Sequence, residues 1–254
     1  EILDNTDRFI SVFNEPKSDG TFRTFYSAYG KLALVQNRIH KKILQRVKFP
    51  FYVQGSVRDS EYPRNYITDA KLHIGCKVLL SIDIRNFFPS INRCSVEGVW
   101  SNFFKFPEEI SKLLTDLTTS NGGLQQGFAT SPILANLLFW DVEHLLQKKL
   151  LDAGFLYSRY VDDCSISSKD LKEKSELEWV IQHVFGMFKE KNVLPHRSAK
   201  KLKIMTYRQP LGIVVHGIQV HKNHLGLSPK KKKEIRINVF SLKKKWEIDR
   251  HRRS

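Results

Sequence analysis

The chain has 254 residues, enough for one large domain or two closely packed ones, and its 41% hydrophobic content, with 17 Phe and 8 Tyr, provides a sizeable and strongly aromatic core. A formal charge of +16 repels itself in a compact fold and argues for a polyanionic partner. Nucleic acid is the first candidate, because phosphate contacts release condensed counterions; a membrane-surface protein would want a broad apolar face that the basic C-terminal tail lacks. The longest apolar stretch, "PILANLLFW", is too short to span a bilayer, and no signal-peptide pattern is present. Cys76, Cys94 and Cys164 form no C-x-x-C pair and are expected to be buried thiols in a reducing compartment. The chain starts at Glu1 rather than Met and is expected to be part of a longer product.

In chain order, residues 1–20 are polar and contain "NEPKSDG", which predicts a turn-rich lead-in. In residues 31–48, Leu32, Val35, Ile39, Ile43, Leu44 and Val47 recur at spacings of three and four, giving an amphipathic helix with a basic outer face. Residues 53–66 read as loop and a helix is predicted near 66–75. "KVLLSIDI", residues 77–84, reads as a buried strand that ends in an acid. Two short helices follow at 92–104 and 107–120, the first capped by Asn92 and the second opened by Pro107. After the glycine-rich loop "NGGLQQGFATSP", residues 133–151 predict one strongly apolar helix. "FLYSRY" and "CSISS" flank Val161, Asp162 and Asp163 as a hairpin with the acids at its tip. Residues 174–192 carry Leu177, Val180, Ile181, Val184, Phe185 and Phe188 at helical spacing. "LGIVVHGIQV" and "HLGLS" predict a small β-hairpin, and the tail from Pro229 is dominated by Lys and Arg. The irregular alternation of strands and helices indicates an α+β fold rather than a doubly wound sheet.

The acids suggest the chemistry. Asp83 ends a buried strand, and Asp162 and Asp163 lie at a hairpin tip farther along. Three carboxylates on neighbouring strand ends can hold two Mg²⁺ ions ~4 Å apart for in-line displacement at phosphorus. Successive strand residues point to opposite faces, so Asp162 is expected to be the shared ligand and Asp163 to lie nearer the primer end or behind the direct ligands. Taken alone, "DD" reads more simply as an ordinary polar turn.

With its neighbours it is more. "YVDD" at 160–163 resembles the metal-binding signature of reverse transcriptases, "SIDIRNFFPSI" at 81–91 resembles their first acidic motif in its bacterial form, and "GLQQGFATSPILANLLF" at 123–139 resembles their substrate-binding loop and following helix. Order and spacing match a palm domain. The resemblance covers about residues 20–235 and is nearest to retron-type and related defence-associated bacterial reverse transcriptases. "TDAKLH" at 68–73 resembles the "NAxxH" element of retron enzymes with Asp69 in place of the asparagine, and "VHG" at 215–217 stands where those enzymes carry "VTG".

The resemblance implies a right-hand polymerase: fingers in 1–76, palm in 77–91 and 123–220, a fingers–palm insertion in 92–122 and the start of a partial basic thumb in 221–254, with an antiparallel palm sheet packed on helices. It implies Asp83, Asp162 and Asp163 as metal-binding acids, with the Ile84 carbonyl as a further oxygen ligand. It implies Phe88 as the steric gate that excludes a ribose 2′-hydroxyl, although Phe87 and Phe88 are both candidates for the core. Gln126 would lie against the incoming nucleotide, Gly127 would let the backbone approach it, and Tyr160 would pack near the primer end. Arg23 and Lys31 would neutralise the triphosphate, or belong to a solvated basic face. Lys201 would protonate departing pyrophosphate, with Lys200 and Lys203 as competitors.

Ile235, Val239, Leu242 and Trp246 would form a thin stripe on a thumb helix, or the tail is a solvated end. His221 and His224 have a metal-compatible spacing without further ligands nearby. Phe51, Tyr52, Tyr62 and Tyr66 could stack on a single-stranded template or belong to the core. The expected partners are an RNA template, a cognate structured non-coding RNA in particular, a DNA or RNA primer, the cDNA product and dNTPs, with no membrane and a bacterial cytoplasmic location. The alternatives are a catalytically silent RNA-binding protein with a polymerase fold, and template-independent or protein-primed DNA synthesis.

Overall fold

The computed structural model describes residues 6–16, 20–196, 202–227 and 229–251. The elements in order are β1 (Ile10–Pro16), β2 (Phe22–Ala28), α1 (Gly30–Lys42), α2 (Tyr66–Leu72), β3 (Val78–Asp83), α3 (Phe87–Ser90), α4 (Arg93–Gly98), α5 (Glu108–Thr118), α6 (Ser131–Asn136), α7 (Glu143–Asp152), β4 (Leu156–Tyr160), β5 (Asp163–Ser168), α8 (Lys174–Glu190), β6 (Lys203–Thr206), β7 (Ile213–Val215), β8 (Ile218–Val220), β9 (Leu225–Leu227) and α9 (Pro229–His251).

The organising element is a four-stranded antiparallel sheet in the order β4-β5-β3-β6. Its inner strand β3 is covered on both faces, which is why it reads as a continuous apolar run. Val78, Leu80 and Ile82 join the main core, whereas Leu79 points the other way into a second cluster with Ala70, Cys76, Ile213, Val215 and Val220. Helices therefore close one face, including α8 through Val180, Val184 and Phe188. The small sheet β7-β8-β9 closes the other together with α2. This is the expected α+β architecture, an antiparallel sheet packed on helices.

Several expectations change. The lead-in contains a strand: β1 pairs with β2 in full register, Phe13 stacking on Phe25 with ring centroids 5.5 Å apart. Most of β1 is exposed, so no apolar face marks it in the sequence. The helix predicted over 133–151 breaks into α6, a 3-10 turn at Leu137–Phe139 and α7. Arg159 donates to the Asn136 carbonyl at 3.2 Å and competes for an acceptor that helix continuation would use. The predicted C-terminal hairpin is a three-stranded sheet, because "LGIVVHGIQV" folds on itself as β7 and β8 and "HLGLS" supplies β9. Strand β6 also escaped the sequence reading, because it is short and partly exposed.

Cys76 and Cys164 are buried as expected, and burial pushes their thiols up to about 11 and about 12, respectively. Cys94 is exposed, because it opens the surface helix α4. The stripe Ile235, Val239, Leu242 and Trp246 lies on α9 and is exposed along its length. His221 and His224 stack at 4.5 Å across the β8–β9 turn, where the His221 amide donates to the His224 carbonyl. No helix among the described residues is long and apolar enough to cross a membrane.

Candidate active site

The sheet brings the acids together. Asp83, the last residue of β3, is the register partner of Asp163, the first residue of β5. Asp162 precedes it in the tight β4–β5 turn, and the Ile84 amide donates to the Asp162 carbonyl at 2.9 Å. The Ile84 backbone thus faces the acidic turn while its side chain is buried. On the other side of β3's end, residues 194–196 run antiparallel: His196 donates to the Asp83 carbonyl and Arg85 to the Leu194 carbonyl, both at 2.8 Å. Asp83 is 4% exposed, whereas the Asp163 side chain is 38% exposed, so the pair spans the edge between core and solvent.

The turn itself is held from behind. Val161 adopts φ +59°, a left-handed conformation unfavourable for a β-branched residue, so its surroundings must impose it. Arg159, wholly buried, donates to the Val161 carbonyl at 2.9 Å and to Asn136 Oδ1 at 3.0 Å. Glu143 neutralises this guanidinium through two hydrogen bonds, at 2.5 and 2.8 Å, and also accepts from the Tyr157 hydroxyl at 2.7 Å. Burial alone would lower the Arg159 pKa; the charge and hydrogen bonds of Glu143 outweigh it, so the net shift is upward. Residues 52–55 run beside β4: Arg159 donates its amide to the Tyr52 carbonyl and Gln54 donates to the Arg159 carbonyl. A Cβ at Gly55 would strike the Val161 backbone, so only glycine lets this segment close on the turn.

Glu143, Asn136, Gly55 and the inward course of Arg159 were not singled out from the sequence. The one available signal was charge inside apolar surroundings: an arginine in "YSRY" and a glutamate opening an apolar helix.

Phe87 and Phe88 divide as their alternatives allowed. Phe87 is buried and stacks on Phe139 with centroids 6.0 Å apart and planes at 9°, while Phe88 is half-buried on the same short helix. Asn86 at φ +49° reverses the chain between Asp83 and that helix.

The loop after α5 docks on the β1–β2 hairpin. Tyr26 donates its amide to the Gln126 carbonyl at 2.8 Å. A Cβ at Gly127, φ +114°, would meet the Tyr26 carbonyl oxygen, so glycine is what lets this loop close on β2. Gln125 turns inward and is buried, leaving Gln126 half-exposed. Arg23 lies three residues along β2 from Tyr26, exposed and paired in register with Glu15, and Lys31 is exposed on the first turn of α1. Tyr160 is half-buried at the end of β4, opposite Asp163.

Lys200 and Lys201 lie outside the described residues; Lys203 is exposed at the start of β6, opposite Ser81. Of the four aromatics considered for template stacking, Tyr52 is core, 5% exposed, and its hydroxyl is pushed up by burial and then by Glu143. Phe51, Tyr62 and Tyr66 are exposed.

A family model described as "Reverse transcriptase (RNA-dependent DNA polymerase)" matches residues 15–237, which takes in all of these segments. The chain belongs to the reverse transcriptase family. It is 32% identical over 241 residues to the retron Ec48 reverse transcriptase of Escherichia coli, covering 90% of this chain and 56% of that one. It is 30% identical over 230 residues to the retron Se72 reverse transcriptase of Salmonella heidelberg, covering 90% and 59%. The chain thus spans less than two thirds of these relatives' length. Among solved structures, telomerase from Candida albicans in complex with a TWJ fragment of telomeric RNA superposes with a TM-score of 0.58 at 14% identity, covering 86% of this chain and 45% of that one. Apo telomerase from Candida tropicalis gives 0.56 at 11% identity, covering 86% and 47%. These two establish the shared fold.

Reverse transcriptases depend in general on a divalent metal. The donor set suits a hard cation: the carboxylates at the adjoining ends of β3 and β5 offer only oxygen. Among the described residues, no group of three or more His, Cys, Asp or Glu side chains is placed to hold a metal ion by itself.

Proposed function

We propose that this chain is the fingers–palm portion of a retron-like, RNA-directed DNA polymerase that copies a cognate structured non-coding RNA into cDNA. The observation that carries this reading is the register pairing of Asp83 with Asp163, with Asp162 tied by its carbonyl to Ile84. Asp83, Asp162, Asp163 and the Ile84 carbonyl would hold two Mg²⁺. When bound, these ions would activate the primer hydroxyl and offset charge on the leaving pyrophosphate.

The protein's own groups do the rest. The β4–β5 turn holds two carboxylates against the end of β3, and the Glu143–Arg159 pair keeps that turn from relaxing. The Phe88 ring would clash with a 2′-hydroxyl, selecting dNTPs by exclusion. Gln126 and the Gly127 backbone would border the nucleotide, Tyr160 the primer terminus, and Arg23 and Lys31 the triphosphate. Lys201 would donate the proton to pyrophosphate. Residues 1–76 and 92–122 would supply fingers elements and 221–254 the start of a basic thumb whose lysines contact the duplex backbone. A bacterial cytoplasmic location and a part in anti-phage defence accord with the retron relatives.

The test is sequencing of nucleic acid that co-purifies with the full-length protein and with Asp162→Asn. A defined RNA in both and complementary DNA in wild type alone is the expected result. DNA in both would sink the assignment of Asp162, and RNA without DNA in either would favour an RNA-binding role.

A further inference from the structure

The two positions at which the sequence departs from the retron motifs meet in space. Asp69 lies on α2 and is wholly buried, and its Oδ2 is 2.6 Å from Nε2 of His216. Among the described residues, Asp69 Oδ1 has no hydrogen bond, so this buried acid is held through Oδ2 by the imidazole. A buried carboxylate without a partner is strongly destabilising, so the contact is not incidental.

His216 is placed with equal constraint. It and Gly217 form the two-residue turn between β7 and β8, both at positive φ, +49° and +80°. Asn or Gly is the usual first residue of such a turn, so the turn alone does not call for histidine. The other ring nitrogen, Nδ1, lies 3.8 Å from Asp163 Oδ2, and the ring packs on Tyr160 with centroids 4.8 Å apart at 49°. One imidazole thus touches a buried acid behind the sheet and two residues at the rim of the acidic centre.

We propose that Asp69 and His216 are a positioning pair for polymerisation: Asp69 fixes the imidazole, and the imidazole fixes the Tyr160 ring and the Asp163 carboxylate. This rests on the proposed function, because it gives Tyr160 and Asp163 a place beside the reacting groups. It adds that the small sheet β7-β8-β9 takes part in setting the site as well as covering the core. Neither residue of the pair needs to touch substrate. If the carboxylate and the ring swing out of place, the loss appears in turnover rather than in nucleotide affinity, since displacements near 1 Å can cost about a hundredfold.

The experiment is primer extension by the full-length protein on a poly(rA)–oligo(dT) substrate, for wild type, Asp69→Asn, His216→Ala and the double variant, with Asp162→Asn as reference. RNA affinity, melting temperature and the rise in melting temperature on adding Mg²⁺ are measured alongside. His216→Ala should lower kcat by about tenfold to a hundredfold, with the KM for dTTP and RNA affinity within about twofold. It should also shrink the Mg²⁺-dependent rise in melting temperature. Because Asp69 is assigned to act through His216, Asp69→Asn should lower kcat in the wild type and add nothing in the His216→Ala background.

Wild-type turnover by His216→Ala, or additive losses in the double variant, would overturn the pairing. So would a loss of RNA affinity matching the loss of kcat. If His216→Ala does not fold, His216→Asn replaces it in the same cycle with the same outcomes. A fully active Asp162→Asn would instead overturn the proposed function, which separates that failure from this one.

Discussion

The β4–β5 turn and the β1–β2 hairpin are both antiparallel connections proposed to meet the nucleotide, and they are built in opposite ways. At the β4–β5 turn, the chain around Val161 is surrounded by Arg159, Asn136, Gly55 and His216, and most of β4 and β5 is buried. Along β1 and β2, most residues are exposed, and the fixed points are cross-strand pairs, the Phe13–Phe25 stack and the Tyr26–Gln126 hydrogen bond. The difference fits the two tasks. Carboxylates that must stay close despite mutual repulsion need a rigid frame, whereas a segment proposed to border the nucleotide can be held by few contacts.

The comparison can be broken at its rigid end. Arg159→Met leaves Glu143 buried without its countercharge and frees the Val161 carbonyl; it should destabilise the protein by about 3–5 kcal/mol in urea unfolding. A loss below about 1 kcal/mol would mean that the turn does not depend on this pair.

The same region should respond to acid. His73, buried at the C-terminal cap of α2, contacts the Ser167 hydroxyl at 2.7 Å and the Ser158 hydroxyl at 2.9 Å, clamping β4 to β5. Burial lowers its pKa from 6.5 to about 4; Asp69 opposes the shift and His216 adds to it. The unfolded chain therefore takes up this proton at a higher pH than the folded one. The contribution of neutral His73 is complete above about pH 6.5 and is lost as pH falls toward 4, by roughly 3 kcal/mol across the window. The check is unfolding free energy at pH 7 and pH 5 for wild type and His73→Gln, the variant showing the shallower dependence.

Phe88→Ala sharpens the comparison at the border between the two regions. It should raise the ratio of ribonucleotide to deoxynucleotide incorporation by about tenfold or more with little loss of stability, because Phe87 rather than Phe88 fills the core. Unchanged selectivity would make Phe88 a packing residue. The smallest effect on folding is expected at the open end: Arg23→Ala should alter stability by less than about 0.5 kcal/mol while raising the KM for dNTPs. An unchanged KM would return Arg23 to the solvated surface.

The acids and their order were legible because strand β3 is an apolar run that ends in Asp83 and because "YVDD" interrupts a β-prone hairpin. The pattern also located α1, α5 and α8, where one apolar face meets the core. Strand β1 was not legible, since a strand solvated on both faces carries no alternation. Nor was the break after α6, where apolar periodicity continues although Arg159 takes the Asn136 carbonyl.

What the sequence determined by itself, then, was chemistry and order: three carboxylates, a Gln-Gly loop, a Phe pair and a strongly basic tail, each local in the chain. What the tertiary structure decided was which distant groups hold those residues in place. Glu143 reaches Arg159, Asn136 reaches Gly55 and Asp69 reaches His216 across 147 positions. Periodicity reports only the face a residue turns to the core, and a buried charge chooses its partner by proximity in the folded chain, which short-range pattern cannot encode.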